Sequence, residues 1–198
     1  MIKLRNTVAA SALAICLSAC MSMDGEAGMS GGQSAQASGT VMVGGAEMFP
    51  TRNIVQNAVN SRDHTTLVAA VQAAGLAETL SGPGPFTVFA PTNAAFARLP
   101  AGTVATLLRP ENKATLTSVL TYHVVSGNMS AADLMAAVRA GGGTAALSTV
   151  NGGTLTARMS GSNLVLVDAK GNSSTVTQAD VFQSNGVIHV TNAVSLPG

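Results

Sequence analysis

The sequence has 198 residues with ten basic and nine acidic side chains, which leaves a formal net charge of +1. Since no excess of basic residues is present to neutralise phosphates, nucleic acid is excluded as the expected partner. Hydrophobic residues make up 46% of the chain and charged residues only 10%, a balance that favours a compact globular domain over disorder. Trp is absent and Tyr122 is the single tyrosine, so a surface that binds through stacked aromatic rings is not expected.

The N-terminal residues are typical of an export signal. Lys3 and Arg5 form a short positive region, and the uncharged run 7–19 follows it. This run is shorter than the about 20 apolar residues that a membrane-spanning helix needs. A positive start, a short apolar run and small residues before a cleavage site predict a secretory signal peptide over residues 1–19. Without Lys3 and Arg5, eight basic and nine acidic residues remain.

The end of this signal carries a second motif. Leu17-Ser18-Ala19-Cys20 resembles the lipobox of bacterial lipoproteins, in which the cysteine is acylated and becomes the mature N-terminus. Cys16 would leave with the signal, so Cys20 would be the only cysteine of the mature chain and no internal disulfide could form. The resemblance implies a membrane partner reached through a lipid anchor on Cys20. The alternative is an ordinary signal peptide that happens to contain Cys20. The sequence does not distinguish a periplasmic or outer-membrane location from the cell surface.

The segment after the cysteine is low in complexity. Residues 21–45 are rich in Ser, Gly, Ala, Met and Gln and show hardly any hydrophobic periodicity. This composition predicts flexible coil, so residues 20–45 are expected to be a lipidated cysteine and a tether. Met21, Met23 and Met29 could bind Cu(I) through their thioethers. No histidine joins them, so we interpret them as linker residues and predict no cofactor.

Regular hydrophobic patterning begins at about Glu47 and predicts one domain over residues 46–198. Apolar residues at helical spacing predict several short helices before residue 140. Asp63 is predicted to cap the second helix and Gly75 to end it, and Thr92 is predicted to cap a later helical turn. Ser130 with Asp133 resembles a capping box. The apolar positions are Ile54, Val55, Ala58 and Val59; Leu67, Val68 and Val71; Val104, Leu107 and Leu108; and Leu116, Val119 and Leu120.

The strand signals lie mostly in the last third of the chain. An early β-rich run, Phe86–Ala90, stands between a Gly-Pro-Gly-Pro break and Pro91. Later strands are predicted at 154–159, 164–167, 174–179 and about 187–190, with a turn at Asn151-Gly152 before the first of them. Helices followed by a mostly antiparallel sheet, with one early strand, predict an α+β fold.

Three segments, in this order, are similar to the sequence blocks of fasciclin domains. They are Phe86–Phe96, Tyr122-His123-Val124-Val125, and Asn185–Val190 followed by Leu196-Pro197. The resemblance covers about residues 53–197, essentially all of the predicted domain. It implies a β-rich wedge or sandwich flanked by several short α-helices, as in bacterial single-domain lipoproteins. It also implies an envelope-anchored binding or adhesion module whose partner is an envelope or extracellular protein or polysaccharide.

An envelope hydrolase and a small-ligand carrier are the alternative functions. The sequence has no Gly-x-Ser-x-Gly elbow and neither a His-Glu-x-x-His nor a Cys-x-x-Cys motif. His64, His123 and His189 share no ligand spacing, so we predict no metal site and no catalytic residue. Distant residues can still converge in a fold, and a carrier would need a sizeable apolar pocket.

Tyr122 and His123 can be interpreted in two ways. The resemblance implies an adhesion surface near this pair. Their position between an apolar helix and Val124-Val125 favours buried, hydrogen-bonded side chains, and for His123 we prefer this structural role. The resemblance suggests Thr92 and Asn93 as its partners. The other motif residues are expected to be structural, namely Phe86, Phe89, Pro91, Thr92, Asn93, Phe96, Gly186 and His189.

Overall fold

The computed structural model describes residues 39–198. The predicted signal peptide, the lipidation site Cys20 and residues 21–38 of the predicted tether lie outside the described residues. Within residues 39–198, no helix is long and apolar enough to cross a bilayer.

The fold begins earlier in the chain than the sequence pattern predicts. Strands β1 (Val41–Val43) and β2 (Ala46–Met48) form an antiparallel hairpin. Gly44 and Gly45 form its turn with φ angles of 57° and 75°, which glycine adopts without steric cost. Val43 and Met48 are buried in the core. The predicted boundary at residue 45 is therefore wrong, because strands of three residues are too short to show a hydrophobic period.

The helices of the described region are short, as the sequence predicts. α2 follows a 3-10 turn at Arg62–His64 and has His64 at its N-cap, so the predicted cap at Asp63 is wrong. Gly75 ends α2 in the left-handed conformation with φ 74°, and Ser130 and Asp133 form the predicted capping box of α7. The helices are α1 (Ile54–Ala58), α2 (Thr65–Ala74), α3 (Ala77–Ser81), α4 (Asn93–Ala97), α5 (Thr103–Leu107), α6 (Lys113–Tyr122) and α7 (Ala131–Ala140), with a further 3-10 turn at Pro110–Asn112.

The larger sheet has its strands in the order β4-β3-β9-β8-β7-β6-β5. Strands β3 and β9 are parallel and the other neighbours are antiparallel. The sequence pattern does not predict β4 or β5, and it predicts only part of β8. The strands are β3 (Phe86–Pro91), β4 (Val124–Ser126), β5 (Thr144–Ser148), β6 (Thr154–Ser160), β7 (Asn163–Val167), β8 (Ser173–Gln183) and β9 (Gly186–Thr191).

This sheet folds back on itself. β8 contains register shifts between Val176 and Val181, and bulges of this kind bend a strand. The two outermost strands consequently approach each other: Val125 forms an isolated bridge with Thr149, and the Val150 amide donates to the Val124 carbonyl at 2.8 Å. The result is a closed, β-rich wedge.

The alternation of side chains along β3 places two apolar cores on its two faces. Val88 joins the core between the helices and the sheet, and Phe89 joins the core inside the wedge. The first core includes Ile54, Leu67, Val71, Leu116, Leu120, Ile188 and Val190, and the second includes Tyr122, Leu134, Val138, Leu147, Leu155 and Leu166. Most helices pack on the first core and α7 packs on the second, and short helices against a predominantly antiparallel sheet confirm the predicted α+β fold.

Candidate functional site

Tyr122, the last residue of α6, lies inside the wedge with 1% of its surface exposed. Its hydroxyl donates to the Thr154 carbonyl at 2.6 Å and accepts from the Ala169 amide at 3.1 Å. Burial raises the pKa of this hydroxyl, which keeps it protonated as a donor. Gly153 leaves room for the ring, since a Cβ there would stand 2.9 Å from a ring carbon. Tyr122 therefore ties α6 to the start of β6 and to the loop after β7.

His123 is 3% exposed and both of its ring nitrogens have main-chain partners. Nε2 accepts from the Ser195 amide at 3.0 Å, and Nδ1 lies 2.8 Å from the Val119 carbonyl. Because Nε2 accepts, the proton is on Nδ1, which donates to Val119. Burial lowers the pKa of His123, against smaller opposing effects of the Val119 carbonyl and Asp168. This side chain joins α6 to the C-terminal segment.

Two sequence-based expectations about this pair are wrong. Tyr122 and His123 were candidates for an adhesion surface, but neither side chain is exposed to solvent. Thr92 and Asn93 were the expected partners of His123, but its partners are Val119 and Ser195. Sequence reasoning could not find Ser195 as a partner because it lies 72 residues away.

Thr92 and Asn93 instead accept hydrogen bonds from main-chain amides at the starts of helices. Thr92 is the N-cap of α4 and accepts from the Ala95 amide, as predicted. Asn93 accepts from the Thr66 amide at 3.0 Å and donates to the Arg62 carbonyl at 2.8 Å. It thereby holds the start of α4 against the start of α2.

The other motif residues pack inside the fold or allow close packing. Phe89 is fully buried and stacks on His189 at a ring distance of 5.6 Å. Phe96 and Pro91 are buried, and Phe86 is half-buried beside the first core. At Gly186, a Cβ would overlap the carbonyl oxygen of Phe86 on the parallel neighbour strand.

His189, on β9, is fully buried, and its ring connects the irregular part of β8 to the segment before α7. Its Nδ1 accepts from the Asp180 amide at 3.3 Å, and its Nε2 lies 2.9 Å from the Met129 carbonyl. Nε2 is therefore protonated and donates to Met129, the opposite tautomer to that of His123. Burial lowers the pKa of His189 against the Met129 carbonyl and Asp180. Asp180 has a left-handed backbone, φ 59°, and its carboxylate accepts from the Ala131 amide at 2.7 Å.

These contacts converge on residues 126–130, which we call the 126–130 loop. Thr87 is fully buried; its hydroxyl donates to the Gly127 carbonyl at 2.7 Å and accepts from the Met129 amide at 2.9 Å. The Gly127 amide donates to the Pro85 carbonyl at 3.0 Å. Ser126 and Asn128 are exposed. These hydrogen bonds fix the loop backbone, while the side chains of Ser126 and Asn128 face solvent.

Sequence reasoning missed two buried or half-buried polar links. Asn185 accepts from the Ile54 amide at 3.0 Å and donates to the carbonyls of Leu80 and Gly82. The Asp168 carboxylate accepts from the main-chain amides of Lys170, Asn172 and Leu196 and from the Asn172 side chain. Asn185 stands inside a quoted motif, but its partners are more than 100 residues away, so no local signal could have revealed its role.

His123, Asp168 and Ser195 lie close together inside the fold. Their hydrogen bonds determine whether they could act as a base and a nucleophile. All three are buried, and His123 bonds the main-chain amide of Ser195, not its hydroxyl. The Asp168 carboxylate accepts from main-chain amides and from the Asn172 side chain, and no hydrogen bond joins it to His123. A general base must reach the proton of its nucleophile, and here the imidazole does not. Within residues 39–198, no three His, Cys, Asp or Glu side chains are grouped as metal ligands.

Two small apolar cavities lie beneath α1. The first, about 40 Å³, is lined by α1, α2 and β3 residues that include Val55, Ala58 and Val68. The second, about 30 Å³, is bordered by His64. His64 Nδ1 lies 2.9 Å from the Ser61 hydroxyl, and within the described residues its buried Nε2 has no hydrogen-bond partner. Burial lowers the pKa of His64, while the Ala90 backbone and Asp63 raise it.

Comparison with known proteins identifies the family to which this chain belongs. The fasciclin domain model matches residues 62–197, and the chain belongs to the fasciclin domain family. Protein sll1483 of Synechocystis is 49% identical over 144 residues, which cover 73% of each chain. The immunogenic protein MPB70 of Mycobacterium bovis is 33% identical over 215 residues, which cover 98% of each chain.

A solved structure supports the fold independently of sequence. The FAS1 domain pair of the insect cell adhesion molecule fasciclin I superimposes with a TM-score of 0.66 at 16% identity. The match covers 73% of this chain and 51% of that one, so this chain spans about half the length of the domain pair. At this identity the likeness concerns the fold alone.

Proposed function

We propose that this protein is an envelope-anchored binding or adhesion module that recognises a protein or polysaccharide partner through the 126–130 loop. The observation that carries the proposal is the convergence of Thr87, His189 and Asp180 on this loop and the α7 start. Binding residues are commonly found on loops that a rigid scaffold positions.

The loop combines a fixed backbone with free side chains. Its main-chain groups at Gly127 and Met129 are held by hydrogen bonds. Ser126 and Asn128 are exposed. A loop that is already ordered loses little conformational entropy on binding, and such preorganisation increases affinity.

The proposed anchoring rests on the sequence of the N-terminal region. Residues 1–19 have the form of a signal peptide, and Cys20 stands at the lipobox position. A lipid on Cys20 would hold the domain at the cell envelope, on its periplasmic face or at the surface. Membership of the fasciclin domain family supports a binding or adhesion task for this domain.

Both alternative functions have less support. Cavities of about 40 and 30 Å³ are far below the roughly 300–1,000 Å³ of small-molecule sites, which weighs against a ligand carrier. A wider groove of about 460 Å³ lies between α5, α6 and Pro197, but it is open to solvent. The main-chain bonding of His123 and His189 weighs against a hydrolase.

Binding by matched double variants tests the proposal. The full-length chain would be reconstituted in liposomes and offered separately to immobilised envelope proteins and envelope polysaccharides of the producing cell. Ser126→Ala with Asn128→Ala should weaken binding at least about tenfold, as expected when interface contacts are removed. Ser162→Ala with Asn163→Ala, the same residue types at exposed positions elsewhere, should bind like wild type. Equal binding by both double variants, or no binding to either fraction, would contradict the proposal.

A further inference from the structure

We propose that protonation of His64 releases the β1–β2 hairpin, residues 41–48, from the rest of the domain, so that His64 acts as a pH-sensitive switch. This inference concerns a different part of the molecule from the 126–130 loop and does not depend on binding by that loop. Only its consequence for the tether rests on the proposed anchoring.

The ring of His64 is enclosed beside the hairpin. His64 is 3% exposed and borders the same cavity as Val43 of β1 and Met48 of β2. Its Nδ1 lies 2.9 Å from the Ser61 hydroxyl, and within the described residues its buried Nε2 has no hydrogen-bond partner. In a protonated imidazole both nitrogens are donors. Protonation therefore places a charge in the cavity together with an Nε2 donor that has no acceptor there, and both are costly in an apolar site.

The groups around His64 do little to offset that charge. Apart from Ser61 and His64, the residues that line the cavity are apolar and come from the hairpin, α1, α2, β3, β8 and β9. Asn93 of α4, which bonds the preceding turn, is uncharged. The charged neighbours are Arg62 and Asp63 of the same turn, and both are exposed. The Ala90 backbone and Asp63 raise the pKa of His64, but burial outweighs them and the pKa is lowered. A state in which water reaches the ring is consequently favoured as the pH falls.

The hairpin is the wall of this cavity that opens at the least cost. Its strands have three residues each, and a two-stranded hairpin is marginally stable by itself. Its hydrogen bonds to the rest of the described domain run from the Arg62 amide to the Gly44 carbonyl, 3.2 Å, and from the Gln178 side chain to the Met42 carbonyl, 3.0 Å. The other walls are helices and strands of the main core. Weakly held elements open without global unfolding, so release of the hairpin is the step that hydrates His64.

The turn of the hairpin connects it directly to this site. A Cβ at Gly44 would overlap the Ser61 hydroxyl, the same hydroxyl that contacts Nδ1 of His64. The hairpin also stands between the predicted tether and α1. Residues 41–48 span at most about 28 Å when extended. With Cys20 anchored as proposed, release of the hairpin adds this length to the tether and lets the domain stand farther from the membrane in mild acid.

Hydrogen exchange of the full chain in detergent micelles tests the inference between pH 7.5 and 5.5. The opening constant of the hairpin comes from the amides of residues 41–48 and from the Arg62 amide, after correction for the intrinsic exchange rate at each pH. The hairpin should open more often than β9 at every pH, because β9 belongs to the core. Its opening constant should rise about threefold to tenfold across this range, since a histidine exposed by opening gains a proton near pH 6.5.

Two variants identify the group that titrates. His64→Gln removes the imidazole and keeps a polar side chain, so opening of the hairpin should no longer depend on pH. Asp63→Asn removes the neighbouring carboxylate and should keep the pH dependence of wild type. The inference would be overturned by a wild-type hairpin whose opening does not change with pH or occurs only as often as that of β9. A rise that persists in folded His64→Gln, or that Asp63→Asn abolishes, would overturn it as well. The two wild-type comparisons decide the matter if His64→Gln does not fold.

Discussion

His189 and Met129 lie 60 residues apart in sequence and are joined by a hydrogen bond of 2.9 Å from Nε2 to the carbonyl oxygen. Thr87, on the strand next to that of His189, bonds the amide of the same methionine. Two adjacent parallel strands thus fix both main-chain groups of one loop residue. This relationship connects two buried residues of the family motifs with a loop whose Ser126 and Asn128 side chains are exposed.

Removing the hydroxyl of Thr87 should loosen the 126–130 loop. Thr87→Val keeps the side-chain shape but leaves the Gly127 carbonyl and the Met129 amide without their partner. An unsatisfied buried group costs about 1–3 kcal/mol, so the free energy of unfolding should fall by that amount in a urea titration. Hydrogen exchange of the Met129 amide should accelerate. Thr144→Val, at an exposed position of β5, should stay within about 0.5 kcal/mol of wild type; equal effects of the two substitutions would refute the role of Thr87.

Deleting β1 should destabilise the domain. A chain that begins at Ala46 loses Val43 from the core and leaves Met48 without its strand partner. Burying one valine contributes about 1.5–3 kcal/mol, so the urea midpoint should fall clearly relative to a chain that begins at Gly39. Identical midpoints would show that the hairpin adds nothing to the stability of the domain.

Local sequence patterns predict much of the fold. They do not predict the long-range hydrogen bonds of the motif residues. The helical spacing and the Ser130–Asp133 capping box were predictable, because their interactions lie within one or two turns. The fasciclin motifs identify the segments that contain these residues. The role of each residue depends on hydrogen-bond partners that are far away in sequence. His123 bonds Ser195, and Asn185 bonds Ile54, across 72 and 131 residues. Periodicity reports which face is buried, and it contains no information on such pairs.

Acid should unfold this protein more readily than its few carboxylates suggest. His64, His123 and His189 are buried, and burial lowers the pKa of each. The unfolded chain then binds protons at about pH 6.5 while the folded chain does not, so stability is fully present above pH 6.5 and falls as the pH drops below it. A histidine that stays neutral in the folded chain contributes a slope of at most about 1.4 kcal/mol per pH unit. Urea titrations between pH 7.5 and 5 measure this slope; stability that does not change over this range would contradict the neutral, buried state.

Replacing His123 should affect stability and leave partner recognition intact. His123→Ala leaves the Ser195 amide and the Val119 carbonyl unpaired and creates a void. The expected loss is about 1–3 kcal/mol for the unsatisfied group, with an added cavity term. Binding of the folded variant to its partner should match wild type, because the side chain does not reach the surface. If His123→Ala kept normal stability but lost binding, the recognition site would include Tyr122 and His123.

The Tyr-His motif and His189 are internal links of the scaffold. Nitrogen-15 NMR of the histidine rings at pH 7 tests this role most directly, because it identifies which ring nitrogen carries the proton. The structure predicts a neutral His123 protonated on Nδ1 and a neutral His189 protonated on Nε2. Both rings should resist titration until the domain unfolds. Rapidly exchanging tautomers that titrate near pH 6.5, as exposed histidines do, would show that these two rings are not buried internal links.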